Sequence, residues 1–313
     1  MKKIALLFSG QGAQTVGMGK ELTAEYPAAA EFFREGDDIL SRNLSELAWN
    51  GPIEELTKTA NCQPALYAHG LACLAALREA AGDFPIEAVA GLSLGEWTAH
   101  AAAETFDFAT GLKLVEQRGR LMEAACQASA GAMAAMIGAD ESAVRALAAD
   151  ADVDIANLNA PGQIVISGET AKVELAVSLA RKHGIRRATL LNVAGAYHSR
   201  LMSSAFLALG ASLLEAKLAR PRFPVVANVS GQAAESLPEI RGSLQDQVTG
   251  TVRWTDCMEW LLDRGCELFI ELGPGGVLAG LLQRIRAGTE VISVSDRGSV
   301  QACAERIRAA RQV

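Results

Sequence analysis

Gly91-Leu92-Ser93-Leu94-Gly95 fits the pattern G-x-S-x-G, in which a serine occupies a sharp turn from strand to helix and presents its hydroxyl above a sheet. The flanking pattern has the required order. A short apolar strand, Ala88 to Ala90, precedes the turn, and a helical stretch, Glu96 to Ala103, follows it. In that setting Ser93 can serve as a nucleophile, and the Leu94 backbone N–H at the helix start can face an oxyanion. A purely structural turn is the other reading of the same five residues.

A serine nucleophile needs a base, and four histidines are available: His69, His100, His183 and His198. His69 falls inside a helix read from Ala65 to Ala81, His100 inside the helix after the turn, and His183 at a helix end beside Gly184. These three read as structural. His198 follows a strand and the loop Ala194-Gly195-Ala196-Tyr197 and stands at the start of a helix, where sites of α/β folds collect. It is either a base or a solvated loop residue.

Arg118 is the most informative charge. On a helix from Phe108 to Ala125 it shares a stripe with Leu114, Val115, Leu121 and Met122, at offsets of three and four. Glu116 and Arg120 can pair with each other, which leaves Arg118 aimed at apolar surroundings where an unpaired guanidinium is costly. Either the side chain snorkels to water or pairs with a distant carboxylate, or something anionic meets it. A free carboxylate on a substrate would match its planar fork in bidentate fashion.

The elements that must position these residues alternate. Ile4 to Phe8 reads as a first strand running into Ser-Gly-Gln-Gly-Ala-Gln, a loop too glycine-rich to be helical. Pro64 suits the first turn of the helix Ala65 to Ala81, and Gly82-Asp83 ends it. Between Gly131 and Leu191 the order becomes strand (Ala132 to Ile137), helix (Glu141 to Ala149), strand (Val153 to Leu158), strand (Ile164 to Ser167), helix (Ala171 to His183) and strand (Arg187 to Leu191). With Asn159-Ala160-Pro161-Gly162 as a hairpin turn, this is a βαββαβ, ferredoxin-like insertion. Beyond it come helices at Ser199 to Ala219 and Thr255 to Arg264, a strand at Glu267 to Glu271, a helix after Gly273-Pro274-Gly275-Gly276 and a strand near Val291 to Val294. The expected architecture is α/β: a larger, hydrolase-like domain with a parallel sheet (residues 1–128 and 193–313), and a ferredoxin-like subdomain over 129–192.

Composition removes other function classes. A net charge of −7 gives no basic footprint for nucleic acid. The apolar run at the N-terminus is too short for a signal-peptide core, and no stretch approaches the roughly 20 apolar residues of a membrane span, so no membrane association and a cytoplasmic location are expected. The six cysteines form no C-x-x-C pair, so neither a zinc site nor a disulfide framework is indicated.

With these pieces placed, the sequence resembles the malonyl-CoA:acyl carrier protein transacylases and the related acyltransferase domains of fatty acid and polyketide synthases. The match spans essentially the whole chain. Its motifs are Phe8-Ser9-Gly10-Gln11-Gly12-Ala13-Gln14, the turn around Ser93, Gln117-Arg118-Gly119-Arg120-Leu121-Met122, Asn159-Ala160-Pro161-Gly162-Gln163, Ala196-Tyr197-His198-Ser199, Gln247 with Val252-Arg253-Trp254, and Gly273-Pro274-Gly275. The resemblance implies that Ser93 is acylated and that His198 is its general base. It implies that the Gln247 backbone carbonyl orients the histidine in place of a triad acid, and that the backbone N–H groups of Gln11 and Leu94 form the oxyanion hole. It further implies that Arg118 binds the malonyl carboxylate and that Asn159 lies near the substrate. Malonyl-CoA and an acyl carrier protein are the implied reactants of a ping-pong transfer, with no metal or redox cofactor.

Three positions depart from the family pattern. Leu92 stands where a histidine is usual, Gly195 and Tyr197 replace the first histidine and the phenylalanine of a His-Ala-Phe-His signature, and Gly276 replaces a frequent lysine. An α/β-hydrolase, such as a thioesterase, shares the serine turn, but its histidine normally comes late, whereas here the last histidine precedes the final third of the chain. The malonyl transferase subunit of a malonate decarboxylase is a further reading compatible with Ser93, His198 and Arg118.

Overall fold

The computed structural model describes residues 2–311. Four parallel strands form the larger sheet: β1 (Lys3–Phe8), β2 (Ala88–Gly91), β7 (Cys266–Leu272) and β8 (Glu290–Val294), in the order β2-β1-β7-β8. β1 and β2 are buried along almost their whole length, with only Lys3 exposed. Parallel strands covered on both faces have to be apolar throughout, which is how Ile-Ala-Leu-Leu-Phe reads. The backbone of residues 224–226 runs beside β2, with Val89 N donating to Pro224 O and Val226 N to Val89 O, each at 2.9 Å. This extra edge has no apolar run long enough to announce it.

The smaller sheet holds β3 (Gly131–Ile137), β4 (Asp154–Ala160), β5 (Gln163–Glu169) and β6 (Arg187–Leu190), in the antiparallel order β4-β5-β3-β6. With the helices Glu141–Ala151 and Thr170–Leu179 packed around their own apolar core, this is the ferredoxin-like arrangement expected from the sequence. β4 is also bonded to the segment just before the helix Trp254–Asp263: Leu158 N donates to Val252 O, and Val252 N to Ala156 O. Among the described residues no helix is long and apolar enough to cross a membrane.

Several sequence expectations shift. The helix read from Ala65 begins at Thr59, which places Pro64 inside it instead of in its first turn. Proline cannot donate to the carbonyl four residues back, and the Arg42 guanidinium bonds that Ala60 carbonyl instead, at 3.0 Å. Four helices precede it, at Lys20–Glu25, Pro27–Leu40, Leu44–Asn50 and Ile53–Thr57. The hairpin turn is only Pro161-Gly162, with Gly162 at φ +71°, so Asn159 and Ala160 belong to β4. The stretch Ser199 to Ala219 is a short 3₁₀ turn, Arg200–Met202, followed by a helix, Ser203–Glu215. It stops early because Arg241 takes the carbonyls of Leu213 and Ala216, which would otherwise be open at its end.

The glycines around Ser93 make room instead of supplying the turn's unusual dihedrals. A Cβ on Gly91 would lie 1.9 Å from Gly95 C, and one on Gly95 would lie 2.0 Å from Phe8 O. These contacts bring the start of the helix Leu94–Ala102 directly against β1 and β2. Gly91→Ala is therefore expected to destabilise the fold by at least about 3 kcal/mol, read as a lowered denaturant midpoint. An unchanged midpoint would mean that this crossing can widen without cost.

Candidate active site

Ser93 takes φ +53° and ψ −104°, a conformation rare outside glycine, at the N-cap of the helix Leu94–Ala102. Strain of this kind survives only where the surroundings impose it. Here Asn228 does so: its Oδ1 accepts from Ser93 N at 2.7 Å, and its Nδ2 donates to Gly91 O at 2.9 Å. His198 also has positive φ, +55°. The two residues meet, with Ser93 Oγ 2.8 Å from His198 Nε2.

The histidine's protonation follows from its other nitrogen. His198 Nδ1 lies 2.8 Å from the Gln247 backbone carbonyl, which can only accept, so Nδ1 carries the proton and Nε2 presents a lone pair to the serine hydroxyl. Gln247 caps the C-terminus of the helix Leu237–Asp246, where carbonyls lack intrahelical partners, and this leaves its oxygen available. Burial, with the nearby Arg118 charge adding to it, lowers the His198 pKa to about 4. The imidazole is neutral at pH 7 and able to take a proton.

Arg118 lies on the helix Phe108–Ala128 at 1% exposure, among buried Leu114, Val115 and Met122. Glu116 and Arg120 pair with each other at 3.2 Å, as the spacing predicts. The guanidinium neither snorkels nor touches a carboxylate. Nη1 donates to Gln63 Oε1 at 2.7 Å, while Nη2 donates to Ser93 Oγ and to Gln247 Oε1, both at 3.0 Å. Nε has no acceptor among the described residues. Burial brings the Arg118 pKa down to about 10, opposed chiefly by the charge of Glu96. The serine hydroxyl thus accepts from a cation while donating to a neutral imidazole, which favours its deprotonated form.

Gln11 and Leu94 flank this centre. The Leu94 N–H is the first amide of its helix, one of the donors that a helix start leaves open. The Gln11 side chain reaches toward Thr59 Oγ1 and Tyr197 OH, at 3.4 and 3.5 Å. Thr59 and Tyr197 share a 2.6 Å hydrogen bond, so the tyrosine hydroxyl has a partner in the wall of the site. Gly195 is explained by packing: a Cβ there would come within 2.4 Å of Cys126 Sγ.

Ser93 and His198 open onto a cleft of about 470 Å³ between the two sheets' units. Asn159, Leu92, Met122 and Val165 are among its walls. Asn159 Oδ1 is buried there with no hydrogen-bond donor among the described residues. The remaining histidines are elsewhere. His69 and His100 are buried, with pKa values lowered by burial to about 4 and about 3, and His183 lies 3.1 Å from Asp150 on the smaller unit. All six cysteines are buried free thiols.

Sequence reasoning missed Gln63, Glu96, Trp97 and Asn228. Glu96 had a signal, the only carboxylate in a mostly apolar helix, three residues after Ser93. Gln63 and Asn228 had none, because their importance lies in what they touch.

The family description "Acyl transferase domain" matches residues 5–300. The chain is 40% identical over 306 residues to a Bacillus subtilis malonyl CoA-acyl carrier protein transacylase, covering 96% of each protein. A solved acyl-carrier-protein-S-malonyltransferase from Bartonella henselae superposes with a TM-score of 0.94 at 39% identity, over 98% of this chain and 99% of that one. A malonyl-transacylase solved in complex with a type II PKS acyl-carrier protein superposes at 0.93 and 36% identity, over 97% and 99% of the two chains. With a serine, a histidine and an arginine converging in one cleft and such likeness along its whole length, the chain belongs to the acyl transferase domain family, among the malonyl CoA-acyl carrier protein transacylases.

Proposed function

We propose that the protein moves a malonyl group from malonyl-CoA onto Ser93 and then onto the phosphopantetheine thiol of an acyl carrier protein, in the cytoplasm and without a metal or redox cofactor. The observation that carries this reading is the placement of one hydroxyl between a neutral imidazole and a buried guanidinium. His198 Nε2 takes the Ser93 proton as Oγ attacks the thioester carbonyl. The backbone N–H groups of Leu94 and Gln11 hold the oxyanion. Collapse breaks the C–S bond, and His198 returns its proton to the departing coenzyme A thiolate. The carrier thiol then gives its proton to His198, attacks the ester carbonyl and releases Ser93, which recovers the proton.

Arg118 would bind the far carboxylate of the acyl group, and Asn159, with its unpartnered oxygen, would face the substrate from β4. A division into residues 1–128 and 193–313, with 129–192 as the smaller unit, would let the cleft close over the thioester. Water exclusion matters because an acyl-enzyme ester must outlive hydrolysis. Apolar Met122, Met133, Val165 and Leu281 serve that end.

The test is to incubate the protein separately with malonyl-, methylmalonyl- and acetyl-CoA, read the adduct by intact mass, and add a carrier protein. A malonyl adduct that transfers to the carrier is expected. Rapid hydrolysis without transfer would instead make the protein a thioesterase.

A further inference from the structure

Glu96 is fully buried, and no step above uses it. Its Oε2 accepts from Gln247 Nε2 at 2.7 Å and from Asn228 N at 2.8 Å. Gln247 is thereby committed on every side. Its Nε2 also donates to Ser93 O at 2.9 Å, and its Oε1 accepts from Trp97 Nε1 at 3.1 Å and Arg118 Nη2 at 3.0 Å. Trp97 and Arg118 can only donate and an ionised Glu96 can only accept, so this set fixes which way the amide points. The same residue's backbone oxygen orients His198.

We propose that ionised Glu96 is a positioning residue for the acyl transfer. It locks the Gln247 amide so that the carbonyl holds His198 and the side chain holds Arg118, and it balances the Arg118 charge. Glu96's bearing on malonyl loading rests on the transfer reaction proposed above. Protonation would fall on Oε1, which has no partner among the described residues; Oε2 would then accept from Gln247 and Asn228 only as a neutral carbonyl, in weaker bonds than a carboxylate makes, and Arg118 would be left uncompensated.

Burial pushes the Glu96 carboxyl up to about 7, against the lowering effects of Asn228 N–H, Gln247 and the Arg118 charge. The titratable groups around it are Arg118 from the helix Phe108–Ala128, the Cys257 thiol from the helix Trp254–Asp263, and His198 beyond Gln247. Burial holds Cys257 protonated, well above its ordinary range, and His198 titrates near 4. An ionisation near neutrality that Glu96→Gln abolishes would therefore belong to Glu96. Because the charged form is the productive one, reactivity falls as pH drops through about 7.

The experiment follows Ser93 labelling by a fluorophosphonate, which has no carboxylate or phosphate of its own to titrate, across pH 5 to 9. Malonyl loading is measured in parallel, with wild type and Glu96→Gln. Expected are a wild-type acidic limb near pH 7, its disappearance in Glu96→Gln, and a fall on the order of 10²-fold at pH 8 in the variant. A wild-type profile flat between pH 6 and 8, or a variant that keeps the limb, would overturn the assignment. If Glu96→Gln does not fold, Glu96→Asp takes its place, and a limb left where the wild type has it would overturn the assignment equally. Absence of a malonyl adduct in a wild type that still labels would count against the transfer reaction and leave the role of Glu96 to the labelling profile.

Discussion

Ser93→Ala is expected to lose the malonyl adduct altogether, with a fall in loading rate on the order of 10⁴-fold or more, while the fold persists. The magnitude follows from removing the group that forms the covalent bond, since a nucleophile and its base act as a unit. The fold should survive because the main constraints on this turn are backbone contacts that alanine keeps. Ser93 N still donates to Asn228 Oδ1, and Ser93 O still accepts from Gln247 Nε2. What is lost is one acceptor for Arg118 Nη2, which retains Gln247 Oε1. Intact mass after rapid quenching, beside a thermal melt, checks both halves. An adduct that forms at the wild-type rate on another residue would remove Ser93 from the mechanism.

The second large effect is selective. Arg118→Ala should reduce malonyl loading on the order of 10²-fold more than acetyl loading, because only the malonyl group offers a carboxylate to a charge-assisted hydrogen bond, and such bonds contribute about 1.5–3 kcal/mol each. The ratio is the quantity to measure. The variant will also be less stable, by about 1–3 kcal/mol, since it leaves buried Gln63 Oε1 without its donor. Such a loss lowers both rates alike and cancels in the ratio. Equal losses for both substrates would assign the guanidinium to the architecture of the site and not to the acyl group.

Arg118 also shows how far reading the chain can go. The 3.6-residue period of its helix, with Glu116 and Arg120 able to satisfy each other, was enough to turn the guanidinium inward. It was not enough to say what the charge would meet. Sequence logic left open a snorkelling side chain, a distant carboxylate or a carboxylate on the substrate, whereas the folded protein surrounds the group with Gln63, Ser93 and Gln247 and sets Glu96 one amide away. Pro64 gives a similar lesson. A proline prefers a first helical turn, yet the helix extends five residues further back because Arg42, from a different part of the chain, occupies the carbonyl that the proline leaves open.

Local pattern determined the alternation of strand and helix, the ferredoxin-like insertion, the turn that carries Ser93 and the inward face of Arg118. These depend on the period of apolar residues and on glycine and proline, whose effects act within a few positions. The tertiary structure alone decided that His198 stands 2.8 Å from Ser93 across a separation of 105 residues, with Gln247 orienting it through a backbone oxygen. It also brought Glu96, Asn228 and Gln63 into the same network. Such contacts depend on where distant elements cross, and a carbonyl that orients a histidine imposes no side chain that a sequence could display.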